Sequence, residues 1–229
     1  MKIQPLVAEF LGTFYLCFAG IAAILCSTPA IGSGAGIVGI ALAHGLALSI
    51  AVSAFGGISG AHFNPAVTMG FFVTKRLPMM SVGPYILAQL LGATAAALIC
   101  RTTFPIEAIN QGQLGVPLPA VWASPWVVIA LEFVMTYLLM TSIFGTAVDA
   151  RGQAVKIGGF GIGLTVAFDI LAGGAVTGAS MNPARSFGPA LIIGNWHWHI
   201  LYWLAPIAGA CSAALVYDRV LLADVPRQG

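Results

Sequence analysis

Long apolar runs alternate with short polar joints along the whole chain. Six runs approach or exceed the roughly 20 apolar residues that a helix needs to cross a membrane. They cover residues 6–26, 35–56, 81–103, 126–148, 157–173 and 197–219. The fifth run is short, and we expect the glycine pairs that flank it (Gly158, Gly159 and Gly173, Gly174) to lie partly inside the membrane. A long polar loop near 104–124 separates the third run from the fourth. This pattern predicts an all-α membrane protein with six transmembrane helices.

Two further apolar stretches, residues 65–74 and 183–193, are too short to cross. At about 1.5 Å per residue, each covers roughly half of the hydrocarbon core. Apolar segments of this length are typical of re-entrant half-helices, which are tolerated where the adjoining backbone faces protein or water. We therefore predict two half-helices that enter the membrane and leave on the same side.

The composition supports a membrane protein. Hydrophobic residues make up 59% of the chain and charged residues only 7%, whereas a soluble domain carries about 25% charged residues. Soluble enzymes, nucleic-acid-binding proteins and disordered chains are therefore excluded as interpretations. The net charge of +2 indicates no anionic partner. Four cysteines without CxxC spacing (Cys17, Cys26, Cys100 and Cys211) are interpreted as small core residues rather than a metal or disulfide site.

The basic residues indicate the orientation. If the N-terminus is cytoplasmic, one basic residue between spans, Arg101, falls outside, and Arg185 lies within a half-helix. Such an imbalance is typical of cytoplasmic loops and ends, so we predict that both termini are cytoplasmic. The residues on the predicted cytoplasmic side are Lys2, Lys75, Arg76, Arg151, Lys156, Arg219 and Arg227.

The two short stretches belong to an internal repeat. Residues 59–70 (SGAHFNPAVTMG) align without gaps to residues 177–188 (TGASMNPARSFG), and six of the twelve positions are identical. Each copy holds three spans and one half-helix, about 1–103 and 125–229, within a single transmembrane domain of 1–229. Because three is odd, the second copy must be inverted, and inverted repeats with broken helices place a site at the bilayer midplane.

The repeated Asn-Pro-Ala sequence has a physical meaning at that depth. Asparagine is among the best N-cap residues, and proline suits the first helical position. We therefore expect Asn64 (with Pro65 and Ala66) and Asn182 (with Pro183 and Ala184) to begin half-helices that meet head to head. The positive ends of both helix dipoles and both side-chain amides then face one gap. This arrangement predicts a water-filled pore with a positive midpoint.

These motifs resemble the major intrinsic protein family, which comprises aquaporins and aquaglyceroporins. The resemblance covers nearly the whole chain: six spans, two Asn-Pro-Ala boxes, and the repeated acids Glu9 and Glu132. It implies a homotetramer with one pore per subunit, structural roles for the two buried acids, and passive flow of water or small neutral solutes. It implies no cofactor, no metal and no enzymatic activity.

The resemblance also places the selectivity filter. The four matching positions are His44 in the second span, Ile170 in the fifth, Ala179 in the second loop, and Arg185. Two interpretations of Arg185 are open: it is a filter residue, or it is a structural partner of a carboxylate. An arginine inside a membrane is functional by default, which favours the filter. His44 can also be read as a core histidine. Asp169, beside Ile170, is expected to face polar groups of helices or loops rather than the pore.

The filter and its surroundings favour a particular range of solutes. Ser186 and the Tyr202–Trp203 pair resemble the water-selective branch, while the four filter residues are similar to tonoplast and ammonia-permeable aquaporins. We expect water, ammonia and hydrogen peroxide to pass, urea to be borderline and glycerol to pass poorly. A glycerol or metalloid-hydroxide facilitator and, with less support, a secondary transporter are the alternatives. The short termini favour a bacterial inner membrane.

Overall fold

The computed structural model describes residues 2–32, 34–153 and 159–223. Within these residues, six helices are long and apolar enough to cross a membrane, which confirms the six predicted spans. In chain order the helices are α1 (Ile3–Cys26), α2 (Gly36–Ser59), α3 (Pro65–Val73), α4 (Met79–Thr103), α5 (Ile106–Gly112), α6 (Pro125–Ile143), α7 (Ala150–Gln153), α8 (Phe160–Thr177), α9 (Pro183–Ile193) and α10 (Leu201–Val216). A π-helical turn extends α6 over Phe144–Val148 and another extends α10 over Tyr217–Leu221.

The half-helices α3 and α9 begin at the prolines of the two repeated motifs. Two details of the prediction were wrong. The fifth span continues through Gly173 and Gly174 to Thr177 instead of ending at 173. A Cβ on Gly173 would lie 2.5 Å from Met135 Sδ, so this glycine serves a close helix contact rather than a helix end. The polar loop after α4 contains the short helix α5, and Gly158 lies outside the described residues.

The four helices α1 to α4 correspond to α6, α8, α9 and α10, in inverted orientation. In each half the first helix packs on the fourth, α1 on α4 and α6 on α10. The closest approaches match as well. A Cβ on Gly92 would lie 2.3 Å from Phe10 O, and a Cβ on Gly209 would lie 2.3 Å from Phe133 O. A glycine at the corresponding position of each repeat therefore allows the corresponding pair of helices to touch.

Most basic side chains of the described residues lie at one end of the bundle, here called the basic end. One ion pair joins two of its segments, with Arg76 Nη2 2.8 Å from Asp218 Oδ1. A second lies within one segment, with Arg151 Nη2 2.7 Å from Asp149 Oδ2. Arg101 is near the C-terminus of α4, at the opposite end. Lys156 and Arg227 lie outside the described residues. The described residues at the basic end are Lys2, Lys75, Arg76, Arg151 and Arg219.

The four cysteines are free thiols. Cys17 and Cys100 are buried, and Cys211 is half-buried, in keeping with small core residues. Cys26 is exposed at the end of α1, so the interpretation of all four as core residues was wrong for this one.

Candidate functional site

Both half-helices are capped by the asparagine that precedes them. The side-chain oxygen of Asn64 accepts a hydrogen bond from the Ala66 N–H at 2.8 Å. The oxygen of Asn182 accepts from Ala184 N–H at 3.0 Å and from Arg185 N–H at 3.3 Å. These bonds satisfy N–H groups that the first turn of a helix leaves free. The caps therefore fix where each half-helix starts.

The same two asparagines join the halves of the molecule. Asn64 Nδ2 donates to Met181 O at 2.8 Å, and Asn182 Nδ2 donates to Phe63 O at 2.9 Å. The sequence predicted that both amides donate into the gap. The structure shows that one hydrogen of each amide bonds to the opposite loop, which leaves the second hydrogen of each NH₂ group. Both asparagines also line the central cavity.

Glu9 holds the loop before α3. Its Oε1 accepts from Ser59 Oγ at 2.7 Å and from His62 N–H at 2.9 Å, and its Oε2 accepts from Phe63 N–H at 2.7 Å. Glu9 is completely buried. A buried carboxylate needs several donors to offset the loss of water, and this loop supplies them.

Glu132 holds the loop before α9 in the same way. Its Oε1 accepts from Thr177 Oγ1 at 2.7 Å and from Ser180 N–H at 2.9 Å, and its Oε2 accepts from Met181 N–H at 2.7 Å. In this loop Ala179 and Met181 have φ of 42° and 53°. Residues other than glycine rarely adopt such angles unless their surroundings enforce them. Ala61 and Phe63 in the first loop have φ of 53° and 52°, so each acid holds its loop in a strained conformation.

The four predicted filter residues lie together. A narrow cavity of about 30 Å³ is lined by His44, Ile170, Ala179 and Arg185 as well as by both asparagines. Because one water needs at least about 10–15 Å³ of cavity volume, the cavity has room for about two to three waters. A wider vestibule of about 280 Å³ lies beyond it, and His44, Ile170 and Arg185 line that space too. These three residues therefore stand at the boundary between the vestibule and the narrow cavity.

Arg185 is fixed by the loop after α5. Its Nη1 donates to Gly115 O at 2.8 Å. Gln113, Leu114 and Gly115 have φ of 47°, 49° and 76°, so three consecutive left-handed residues present this carbonyl. Among the described residues no carboxylate forms an ion pair with Arg185. Arg185 therefore makes no direct ion pair with an acid in this part of the chain, and its side chain lines both cavities.

His44 is fixed from two sides. Its Nδ1 lies 2.8 Å from Ile40 O, and since a carbonyl only accepts, this nitrogen carries the hydrogen. The ring edge rests against α1, where a Cβ on Gly20 would lie 2.1 Å from Nε2. Gly20 thus provides the space that the ring occupies. The sequence analysis missed Gly20 because no pattern in the sequence of α1 indicates a contact with the second span.

Asp169 lies outside the candidate site. It is buried, both of its carboxylate oxygens lack a hydrogen-bond partner among the described residues, and it lines neither cavity. Its absence from both cavity linings agrees with the expectation that it does not face the pore. The expected polar neighbours form no hydrogen bond with it among the described residues.

The supporting contacts of two tyrosines and a glutamine were also missed by the sequence analysis. Tyr85 Oη donates to Ser59 O at 2.9 Å, and Tyr202 Oη donates to Thr177 O at 2.6 Å. The two tyrosines occupy corresponding positions in α4 and α10, so extending the repeat alignment through these helices would have revealed them. Gln89 has no such counterpart. Its Nε2 donates to Glu9 Oε2 at 2.7 Å, whereas Pro206 stands at the corresponding place in α10.

Comparisons with known proteins agree with this geometry. The sequence profile described as "Major intrinsic protein" matches residues 1–217. The aquaporin TIP1-2 of Zea mays is 41% identical over 227 residues, covering 97% of this chain and 87% of the maize protein. Nodulin-26 of Glycine max is 41% identical over 224 residues, covering 98% of this chain and 80% of that protein. The structure of the aquaglyceroporin from Plasmodium falciparum has the same fold, with a TM-score of 0.81, 23% identity, and coverage of 97% and 98% of the two chains.

Proposed function

We propose, from the premise that this chain belongs to the major intrinsic protein family, that its filter admits ammonia and hydrogen peroxide besides water. The protein is a transmembrane channel for water and small neutral solutes and is not an enzyme. The choice among neutral solutes is the part that we propose here.

The observation that carries the proposal is the shared boundary of the two cavities. Every solute that passes from the vestibule to the narrow cavity must pass His44, Ile170 and Arg185. Two of these side chains are polar and one is a branched alkyl group. We assign them, together with Ala179, as the selectivity filter.

The chemistry of this boundary suits small neutral hydrides. Ammonia is close to water in size, donates to carbonyls and accepts from a donor such as the Arg185 guanidinium. The side chains of Ile170 and Ala179 offer no hydrogen bond, so they do not bind the several hydroxyl groups of a polyol. Glycerol must shed more water than the filter replaces, and desolvated polar groups without partners are costly. We therefore expect water, ammonia and peroxide to pass, urea to be borderline, and glycerol to be held back.

Protons and ions are excluded in this proposal. The N-termini of α3 and α9 meet at the narrow cavity, and both carry positive partial charge. Arg185 adds a full charge nearby, and an arginine with half-helix dipoles is a known way to exclude cations. A water that accepts from both Asn64 and Asn182 also has a fixed orientation, which interrupts the reorientation that proton hopping requires.

The experiment is a stopped-flow comparison in proteoliposomes. Water, methylammonium or ammonia, hydrogen peroxide, urea and glycerol are compared for the wild type and for an Ile170→His, Ala179→Thr double variant. We expect ammonia flux to fall in the double variant more than water flux does. Equal exclusion of ammonia by both proteins would refute the filter assignment, and fast glycerol flux would favour the polyol or metalloid facilitator. Flux coupled to an ion gradient would instead indicate a transporter.

The remaining proposals concern assembly and orientation. We propose a homotetramer in which each subunit has its own pore, checked by the mass of the detergent-solubilised particle. The basic end is assigned to the cytoplasm together with both termini, because basic residues gather there. A bacterial inner membrane is the proposed location. Residues 1–103 and 125–229 are proposed as the two repeats of one channel domain.

A further inference from the structure

A shallow apolar groove opens on the outer surface between α1 and α4. It has a volume of about 640 Å³. Apolar side chains from the first turns of both helices line it, among them Ile3, Val7, Phe10 and Leu87. These turns lie in the half of the bundle nearest the basic end. The groove shares no residue with either cavity of the pore.

The groove exists because α4 carries no large side chain at Gly83 and Pro84, near its N-terminus. Gly83 lines the floor, and a Cβ placed on it would meet no atom within 4 Å. Pro84 follows inside the helix. The corresponding positions in the second repeat carry larger groups, since Ile200 matches Gly83 and Trp126 matches Ile3. The groove is therefore a local departure from the internal symmetry.

The position and length of the groove suit one hydrocarbon chain. From Ile3 to Phe10, and from Gly83 to Leu91, the walls run about 10–12 Å along the helices at 1.5 Å per residue. That distance is most of one leaflet, since the hydrocarbon core is about 30 Å thick. Both walls belong to membrane-spanning helices, so the groove lies at the depth of the hydrocarbon core.

A cation stands at the mouth of the groove. Lys2 is exposed and immediately precedes Ile3 at the start of α1. A second copy of this chain would offer few available acidic side chains to pair with Lys2. Among the described residues, Glu9, Glu132 and Asp169 are buried, and Glu107 lies in α5 after the far end of α4. Asp149 and Asp218 already bond to arginines, and Asp224 lies outside the described residues.

We propose that this groove binds one acyl chain of an anionic phospholipid, with Lys2 at the headgroup phosphate. The lipid comes from the leaflet at the basic end. A lysine can extend its ammonium to the headgroup while its alkyl stem stays on apolar surface, and anionic lipids attract basic residues near the surface. The groove fits the acyl chain and makes apolar contact with it, and Lys2 makes the site prefer an anionic headgroup.

The test is native mass spectrometry of the purified protein with added dioleoylphosphatidylglycerol or dioleoylphosphatidylcholine. We expect one tightly held phosphatidylglycerol per protomer in the wild type. Gly83→Leu places a side chain in the groove, starting from a Cβ that meets no atom within 4 Å. It should weaken lipid binding about tenfold, since it removes burial for about two methylene groups. Lys2→Gln should lower the preference for phosphatidylglycerol over phosphatidylcholine about fivefold.

Controls separate this proposal from the alternatives. Gly57→Leu places the same side chain on another helical glycine with no atom within 4 Å of its Cβ, and it should keep the lipid. Lys75→Gln removes a charge from the same end away from the groove and should keep the lipid preference. Unchanged lipid binding in Gly83→Leu would overturn the proposal. A Gly83→Leu protein that loses its oligomeric state while keeping its lipid would also overturn it, because a second copy would then occupy the groove.

Discussion

Replacing Gly20 with alanine should narrow the filter through His44. The new Cβ would lie 2.1 Å from Nε2, 2.5 Å from Cε1 and 2.6 Å from Cδ2 of the imidazole. The backbone of α1 is held by its packing on α2 and α4, and Nδ1 of the ring is tied to Ile40 O. The ring must therefore move away from α1, and free space lies in the two cavities that it lines.

The size of the movement follows from ordinary contact distances. Because non-bonded heavy atoms approach to about 3.5 Å, the ring must retreat by about 1.4 Å. That is half the width of a water molecule, whose radius is about 1.4 Å. If the smaller opening raises the barrier by about 1.4 kcal/mol, flux falls about tenfold. We expect at least this loss for water and ammonia in stopped-flow measurements on proteoliposomes.

Two further variants make the reasoning refutable. Gly57→Ala is the matched control, because it also adds a methyl group to a helical glycine but meets no atom within 4 Å. Both substitutions raise helix propensity equally, by about 1 kcal/mol. In a His44→Ala background the Gly20→Ala change should have little effect. Normal flux in Gly20→Ala alone, or an equal loss when His44 is absent, would show that the ring does not transmit the effect.

Four other expectations can be measured directly. Glu132→Ala leaves two buried backbone N–H groups without their acceptor, at about 1–3 kcal/mol each, so the unfolding temperature in detergent should fall; an unchanged temperature contradicts the role of the acid. Arg185→Val removes the single formal charge of the half-helices and should admit a proton or cation leak, and a leak no larger than that of the wild type argues against the assignment. Hydrogen bonds from Arg151 hold the pKa of Asp149 at about 2, below its ordinary 3.8; because the folded-state pKa is depressed, the stabilisation is complete above pH 3.8 and is lost only as the pH falls through about 2. The difference in unfolding temperature between wild type and Asp149→Asn should therefore be equal at pH 8 and pH 5, and a difference that vanishes by pH 5 is the opposing result. No cysteine lines either cavity among the described residues, so mercurials should block water flux weakly in the wild type and strongly in Ala179→Cys; strong block of the wild type contradicts this.

The helices and the meeting of the half-helices could be predicted because their signals are local. The length of the apolar run distinguishes α3 and α9 from the spans. Asn64 and Asn182 indicate helix starts because asparagine is a preferred N-cap residue. The inverted symmetry followed from counting an odd number of spans. The end of the fifth span was predicted four residues too early because the apolar run weakens at Gly173 and Gly174, yet α8 continues to Thr177 with Gly173 packed against Met135.

The supports of the site could not be predicted because they depend on contacts between distant segments. Gly20 matters only because the ring of His44 lies against it. Gly115 matters because its carbonyl reaches Arg185 across 70 residues of sequence. A glycine shows no partner in the sequence, and a carbonyl belongs to every residue. Such roles become visible only when the chain is folded.

The exchanged hydrogen bonds of the two asparagines have a consequence for biosynthesis. The partner of the Asn64 amide, Met181 O, is 117 residues further along the chain. At a translation rate of about 5–20 residues per second, it emerges on the order of ten seconds later. During that time the first repeat is already long enough to span the membrane, while its polar loop has no partner from the second. Water or the insertion machinery must supply the missing hydrogen bonds. A nascent chain stalled before the second loop should lack both bonds between the repeats and have no continuous aqueous path.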